Sequence, residues 1–94
     1  MNEGAKKVAI VTAAGKGIGA ACARELSARG YGLVLMSAGG GAVDLAGSLG
    51  GVGLRGSVAE PADIEAVVAA AVDSFGRIDA VDLARSRNKR AIVR

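Results

Sequence analysis

Residues 8–19 read VAIVTAAGKGIG, a short β-branched apolar run that breaks into a glycine-rich turn and then opens a helix. A strand that ends in glycines at a helix start leaves backbone N–H groups without partners, with the positive end of the helix dipole behind them. That arrangement suits a phosphate, so a nucleotide is the expected ligand. A turn that only reverses the chain is the competing reading. It is the weaker one here, because the glycines follow a strand and precede a helix at the start of a βαβ unit.

The rest of the chain continues that alternation. Strand-like runs are read at 8–11, 33–36, 52–55 (with an extension to Val58 left open) and 78–81. Between the first two, Ile18, Cys22 and Leu26 fall on one helical stripe, and Gly30 is placed to end the helix as a left-handed cap. A second helix around 42–49 is weakened by Gly39, Gly40, Gly41 and Gly47. The third is the clearest: Pro61 suits its first turn, Ile64, Val67, Val68, Ala71, Val72 and Phe75 recur at helical spacing, and Gly76 terminates it. Strands alternating with helices in this way predict an α/β fold, a parallel sheet with crossover helices. Right-handed crossovers in the doubly wound order 3-2-1-4 put the first two helices on one face and the third on the other. The fourth strand then has an unpaired outer edge and one face carries a single helix, which reads as half of a larger sheet that stops early. Nothing marks a repeat or a second domain.

Composition narrows the class. A chain of 94 residues buries only ~60–70% of the surface its unfolded form exposes. With one Phe, one Tyr and no Trp, the core must come from Val, Leu, Ile and Ala, so marginal stability is expected. The net charge of +3 belongs to the end of the chain, where Arg85, Arg87, Lys89, Arg90 and Arg94 stand without an acid among them while the remainder is net acidic. That segment has no interleaved aromatics for base stacking, and a solvated tail is a better reading than a nucleic-acid site. Cys22, the single cysteine, excludes an internal disulfide and fits a reducing compartment. On its helical stripe it reads as a small buried hydrophobe rather than a reactive thiol. The longest apolar runs fall far below the ~20 residues of a membrane span. A soluble cytoplasmic protein without a metal site is expected.

Gly15-Lys16-Gly17 with Ala20 fits the G-x-G-x-x-A form of a dinucleotide turn. Together with ACARELSARGYGLVLMS at 21–37 and EPADIEAVVAAAVDSFGRIDAV at 60–81, this segment resembles the amino-terminal portion of the short-chain dehydrogenase/reductase family over residues 8–81. The turn motif of that family is T-G-x-x-x-G-x-G, and its third helix commonly ends in F-G-x-I-D. The resemblance implies a partial Rossmann domain over residues 1–81, followed by a basic tail at 82–94. It also implies a nicotinamide dinucleotide and hydride transfer to or from a carbonyl or alcohol.

Carried onto this sequence, the cofactor-binding residues are Thr12, Ala14, Gly15, Lys16, Gly17, Ile18, Gly19, Ser37, Ser57 and Val58. Thr12 holds the turn, Gly17 lets a pyrophosphate approach the backbone, and Gly19 permits close packing of helix on strand. Ala13 stands at the family's first glycine, where a positive φ would cost ~1 kcal/mol or more and lower affinity. After the second strand, Met36-Ser37-Ala38-Gly39 lacks the acid that bonds the ribose 2′-hydroxyl of NAD. Ser37 as a donor and Lys16 as a charge favour NADP over NAD. Ser57-Val58 replaces the Asp-hydrophobic pair that contacts adenine in the family, and gives weaker support.

Beyond Val81 the family pattern is lost: Asp82-Leu83-Ala84-Arg85-Ser86 stands where N-N-A-G is expected. Reduction in the family uses a tyrosine acid with a lysine four residues on, and a serine that orients the substrate. Tyr31 is the only tyrosine, Leu35 follows it at that spacing, and there is no His, so no catalytic residue is assigned. The reading is a truncated oxidoreductase portion that binds dinucleotide and is inactive alone, with substrate handled only in a full-length relative. The alternative is a non-catalytic nucleotide-binding or strand-pairing module that oligomerises through the exposed sheet edge.

Overall fold

The computed structural model describes residues 7–15 and 17–82. Strand β1 (Val8–Thr12) leads to α1 (Gly17–Ala28), β2 (Gly32–Ser37), α2 (Gly41–Leu49), β3 (Val52–Arg55), α3 (Pro61–Phe75) and β4 (Ala80–Asp82). All pairings are parallel, in the order β3-β2-β1-β4. Val8 lies opposite Gly32 and Thr12 opposite Met36, so β1 and β2 match along the whole of β1. This is the doubly wound order expected from the alternation of strands and helices.

Both faces of the two inner strands are covered, which is why VAIV and LVLM are continuous apolar runs instead of alternating ones. Ala9, Val11, Leu33 and Leu35 pack against Ala20, Ala23, Ala42, Leu45 and Ala46 from α1 and α2. Val8, Ile10, Val34 and Met36 pack against Val67 and Ala71 of α3 on the opposite face. Tyr31 is half-buried at the edge of the first cluster, a packing position. The low helix propensity of its glycines is no obstacle to α2, since Ala42, Leu45 and Ala46 bury its inner face and Gly50 caps it at φ 78°. Gly30 and Gly76 likewise follow α1 and α3 with positive φ, as their spacing predicts.

The helical stripes differ from the expected ones. Ile18 is 80% exposed, and the buried residues of α1 are Gly19, Ala20 and Ala23. The helix approaches the sheet too closely for large side chains, so Ile18 flanks the contact while Cys22 and Leu26 pack half-buried at its margin. In α3, Val67 and Ala71 are buried but Val68 and Val72 are 40% and 50% exposed. A lone helix on its face has a contact line narrower than its apolar stripe. β3 stops at Arg55, without the extension towards Val58: the Gly56 N–H still donates across to the Ser37 carbonyl as the last rung beside β2, and the next N–H, of Ser57, turns away to the Asp63 carboxylate. β4 begins at Ala80 rather than Ile78, after Asp79 has tied the segment to Val8. The basic segment 83–94 and Lys16 lie outside the described residues. Among those described, no helix is long and apolar enough to cross a membrane.

Candidate dinucleotide site

The carboxyl ends of β1, β2 and β3 lie side by side, next to the point where the chain crosses from the β3-β2-β1 half of the sheet to β4. Open α/β sheets bind ligands at such a switch point. Thr12 is buried at the end of β1, and the chain then turns through Ala13 at φ 54°. Ala13 is the one non-glycine with positive φ among the described residues, at the position the family pattern gives to glycine. Ala14, fully buried, donates its N–H to the Met36 carbonyl at 3.0 Å and so pins the turn to β2.

Helix α1 then starts at Gly17, with φ 63° and open space where a side chain would be. Its first turn holds no acid to compete for the helix dipole, so its outward N–H groups suit an anion. Gly19 has the opposite surroundings. A Cβ there would collide with the Ala13 carbonyl oxygen, a backbone atom that cannot swing aside. The glycine is what lets α1 sit against the strand end and aim its first turn along the cleft.

Thr12, Ala13, Met36, Ser37, Ala38, Gly56, Ser57 and Val58 line a cleft across the three strand ends. A second groove, along Ala13, Gly15, Ser37, Ala38, Gly39 and Gly41, adjoins it. Ala13, Ser37 and Ala38 belong to both, making one continuous channel between the β1 and β2 turns. Among the described residues no charged side chain lines it.

Ser37 is already engaged in the wall of this channel. Its hydroxyl donates to the Gly39 carbonyl at 3.1 Å and accepts the Ala42 N–H at 3.0 Å. Ser57 is exposed, and its hydroxyl accepts the Ala59 N–H at 3.0 Å. The Ser57 N–H donates to Asp63 Oδ2 at 3.0 Å, so the loop after β3 is held by the first turn of α3. Thr12, Ser37, Ser57 and Val58 thus meet in one cleft, and Ala14 and Gly15 shape the turn behind it. Ile18 and Gly17 are exposed at the mouth of α1. Sequence reasoning passed over Met36, Ala38, Gly41, Gly56 and the supporting Asp63. An acid in the first turn of a helix that follows a strand end was the available signal for Asp63.

Residues 7–83 match the family profile described as short chain dehydrogenase. The chain belongs to the short-chain dehydrogenase family. Among solved structures of that family, a short chain dehydrogenase/reductase from Burkholderia phymatum in complex with NAD superposes with a TM-score of 0.77 at 31% identity, covering 86% of this chain and 31% of that one. A 3-ketoacyl-(acyl-carrier-protein) reductase from Brucella melitensis complexed with NADH gives 0.77 at 31% identity, covering 82% of this chain and 33% of that one. The short-chain dehydrogenase chain described here spans about a third of the length of these two relatives. Among curated protein sequences none matches it.

Proposed function

We propose that this chain is the dinucleotide-binding portion of a nicotinamide-dependent short-chain dehydrogenase/reductase. The observation that carries the reading is Gly19 pressed on the Ala13 carbonyl, with Gly17 open beside it, at the mouth of an uncharged channel along three strand ends. This cradle fits a dinucleotide. The N–H groups of Gly17, Ile18 and Gly19 would hold the pyrophosphate, the Ala13–Gly15 and Ser37–Gly41 turns the ribose, and Ser57 and Val58 the adenine. The nicotinamide supplies or accepts a hydride when the cofactor is bound. The 31%-identical relatives were solved with NAD and NADH, which supports a cofactor of that class.

Between the two forms we favour NADP, because residues 36–41 carry no acid to repel a 2′-phosphate and Lys16 adds a cation to the neighbouring turn. The 94-residue chain binds without turnover: its sole tyrosine, Tyr31, is half-buried against the core and has Leu35 where the lysine partner would stand. Fluorescence titration of NADPH and NADH into the purified chain tests this reading, with saturable binding expected and NADPH the tighter. Absence of binding to both would overturn the function, and tighter NADH would overturn the preference. Carbonyl-dependent oxidation of either cofactor by this chain would overturn the inactivity.

A second reading is supported by β4, which among the described residues pairs only with β1, and by the exposed Val68 and Val72 on the adjoining helix layer. It makes the chain a module that completes its sheet on another chain. A monomer by size-exclusion chromatography, with or without NADPH, would speak against it.

A further inference from the structure

We propose that Ser37 is a positioning residue, whose hydroxyl holds the 38–41 turn against Gly15 and so sets the width of the channel for either dinucleotide. The hydroxyl has one proton, and it goes to the Gly39 carbonyl at 3.1 Å. Its lone pair accepts the N–H of Ala42, second residue of α2, at 3.0 Å. A helix start leaves that N–H without an intrahelical partner, and the N-cap residue Gly40 has no side chain to satisfy it. Ser37 therefore does from the end of β2 what the cap residue cannot.

The consequence reaches the α1 turn, because the two glycine turns touch backbone to backbone. A Cβ on Gly41 would lie 2.8 Å from the Gly15 Cα and 2.9 Å from its carbonyl oxygen. A Cβ on Gly15 would lie 3.2 Å from Ser37 Oγ and 3.4 Å from the Gly41 Cα. Neither glycine has room for a side chain between the other turn and the serine, and Ser37, Gly15 and Gly41 all line the groove beside Ala13. A serine that turned its proton to a 2′-phosphate would release Gly39. Ser37 thus acts equally on the phosphorylated and unphosphorylated cofactors, and discrimination between them comes from the missing acid and from Lys16. The effect on binding rests on the dinucleotide reading above; the coupling of the two turns does not.

The test compares the wild-type chain with Ser37→Ala and Ser37→Thr. In the free proteins, the amide resonances of both Ala42 and Gly15 shift in the alanine variant and return in the threonine variant, which restores the hydroxyl. A Gly15 resonance that stays put while Ala42 moves overturns the coupling, whether or not any cofactor binds. In titrations, Ser37→Ala weakens NADH and NADPH by the same factor, about five-fold for the loss of a cap-type hydrogen bond, and Ser37→Thr recovers both. Loss confined to NADPH makes Ser37 a direct phosphate donor and overturns the proposal. Where Ser37→Ala does not fold, hydrogen exchange on the unsubstituted chain decides: a protected Ala42 amide is expected, and one that exchanges as fast as the exposed turn overturns it.

Discussion

Val8 and Asp79, 71 residues apart in the chain, bond to each other in both directions. The Val8 N–H donates to Asp79 Oδ2 at 2.8 Å, and the Asp79 N–H donates to the Val8 carbonyl at 2.8 Å. Arg77 closes the arrangement with two hydrogen bonds to the same carboxylate, at 2.8 and 2.7 Å. This clasp sits at the amino ends of β1 and β4, the edge of the sheet away from the channel at the strands' carboxyl ends. It holds β4, one of the two edge strands among the described residues.

The hydrogen bonds from Arg77, and then from the Val8 amide, hold the Asp79 carboxyl below its ordinary range. A carboxylate with a lowered folded pKa contributes stability that is fully present above its unfolded value of about 3.9 and is lost as pH falls through the lower folded value. Asp79→Asn therefore flattens the acid limb of stability against pH and lowers stability slightly near neutrality, since the ion pair is partly solvated. Urea midpoints for the two proteins between about pH 2 and pH 7 would check this. Equal acid slopes would assign the limb to other carboxylates.

Ala13 holds a left-handed conformation at φ 54° that glycine adopts without a Cβ penalty. Ala13→Gly should raise stability by up to about 1 kcal/mol, the relief of strain being partly offset by the greater freedom of the unfolded glycine. It should also tighten dinucleotide binding, because the turn no longer resists its bound shape. Denaturant midpoints and cofactor titration on one preparation measure both, and a destabilised variant would mean that the methyl group is needed for packing.

At Gly19 the expected change has the opposite sign. The added methyl of Gly19→Ala must displace the Ala13 carbonyl, and the helix has to lift from the strand end. Overpacking of this kind costs about 1–3 kcal/mol and more where backbone must move. For a core of this size the expected result is an unfolded or loosely packed chain with poor amide dispersion. A native-like spectrum would mean that the turn has room to yield.

Ile18 and Val67 separate exposure from periodicity. Both are apolar residues on helical stripes, yet Ile18 is 80% exposed and Val67 only 2%. Ile18→Ser should change stability by no more than about 0.5 kcal/mol while weakening dinucleotide binding at the mouth of α1. Val67→Ala should cost about 2 kcal/mol by leaving a cavity above Ile10 and Val34, with little direct effect on the channel. Chemical denaturation of both variants distinguishes the two positions; similar losses would return Ile18 to the core.

The alternation of elements, the sheet order and the glycine turn between β1 and α1 were legible in the sequence. Their signals are local: continuous apolar runs, glycines at helix ends, Pro61 at the start of α3, and a glycine turn between strand and helix. Even the strain at Ala13 could be read, since the pattern around it marks a position for a residue with positive φ. What each residue does once the elements pack was decided by the tertiary structure. Ile18, Val68 and Val72 carry the right period but lie off the contact lines, because the approach of each helix is set by the smallest residues at the interface, such as Gly19. Ser37 is marked by its place after β2, but only the fold shows its hydroxyl set between the Gly39 carbonyl and the Ala42 N–H, at the start of a helix whose N-cap is a glycine. Asp63 and the Val8–Asp79 clasp join residues far apart in the chain or on different elements, and no periodicity records a contact between segments that meet only when the sheet forms.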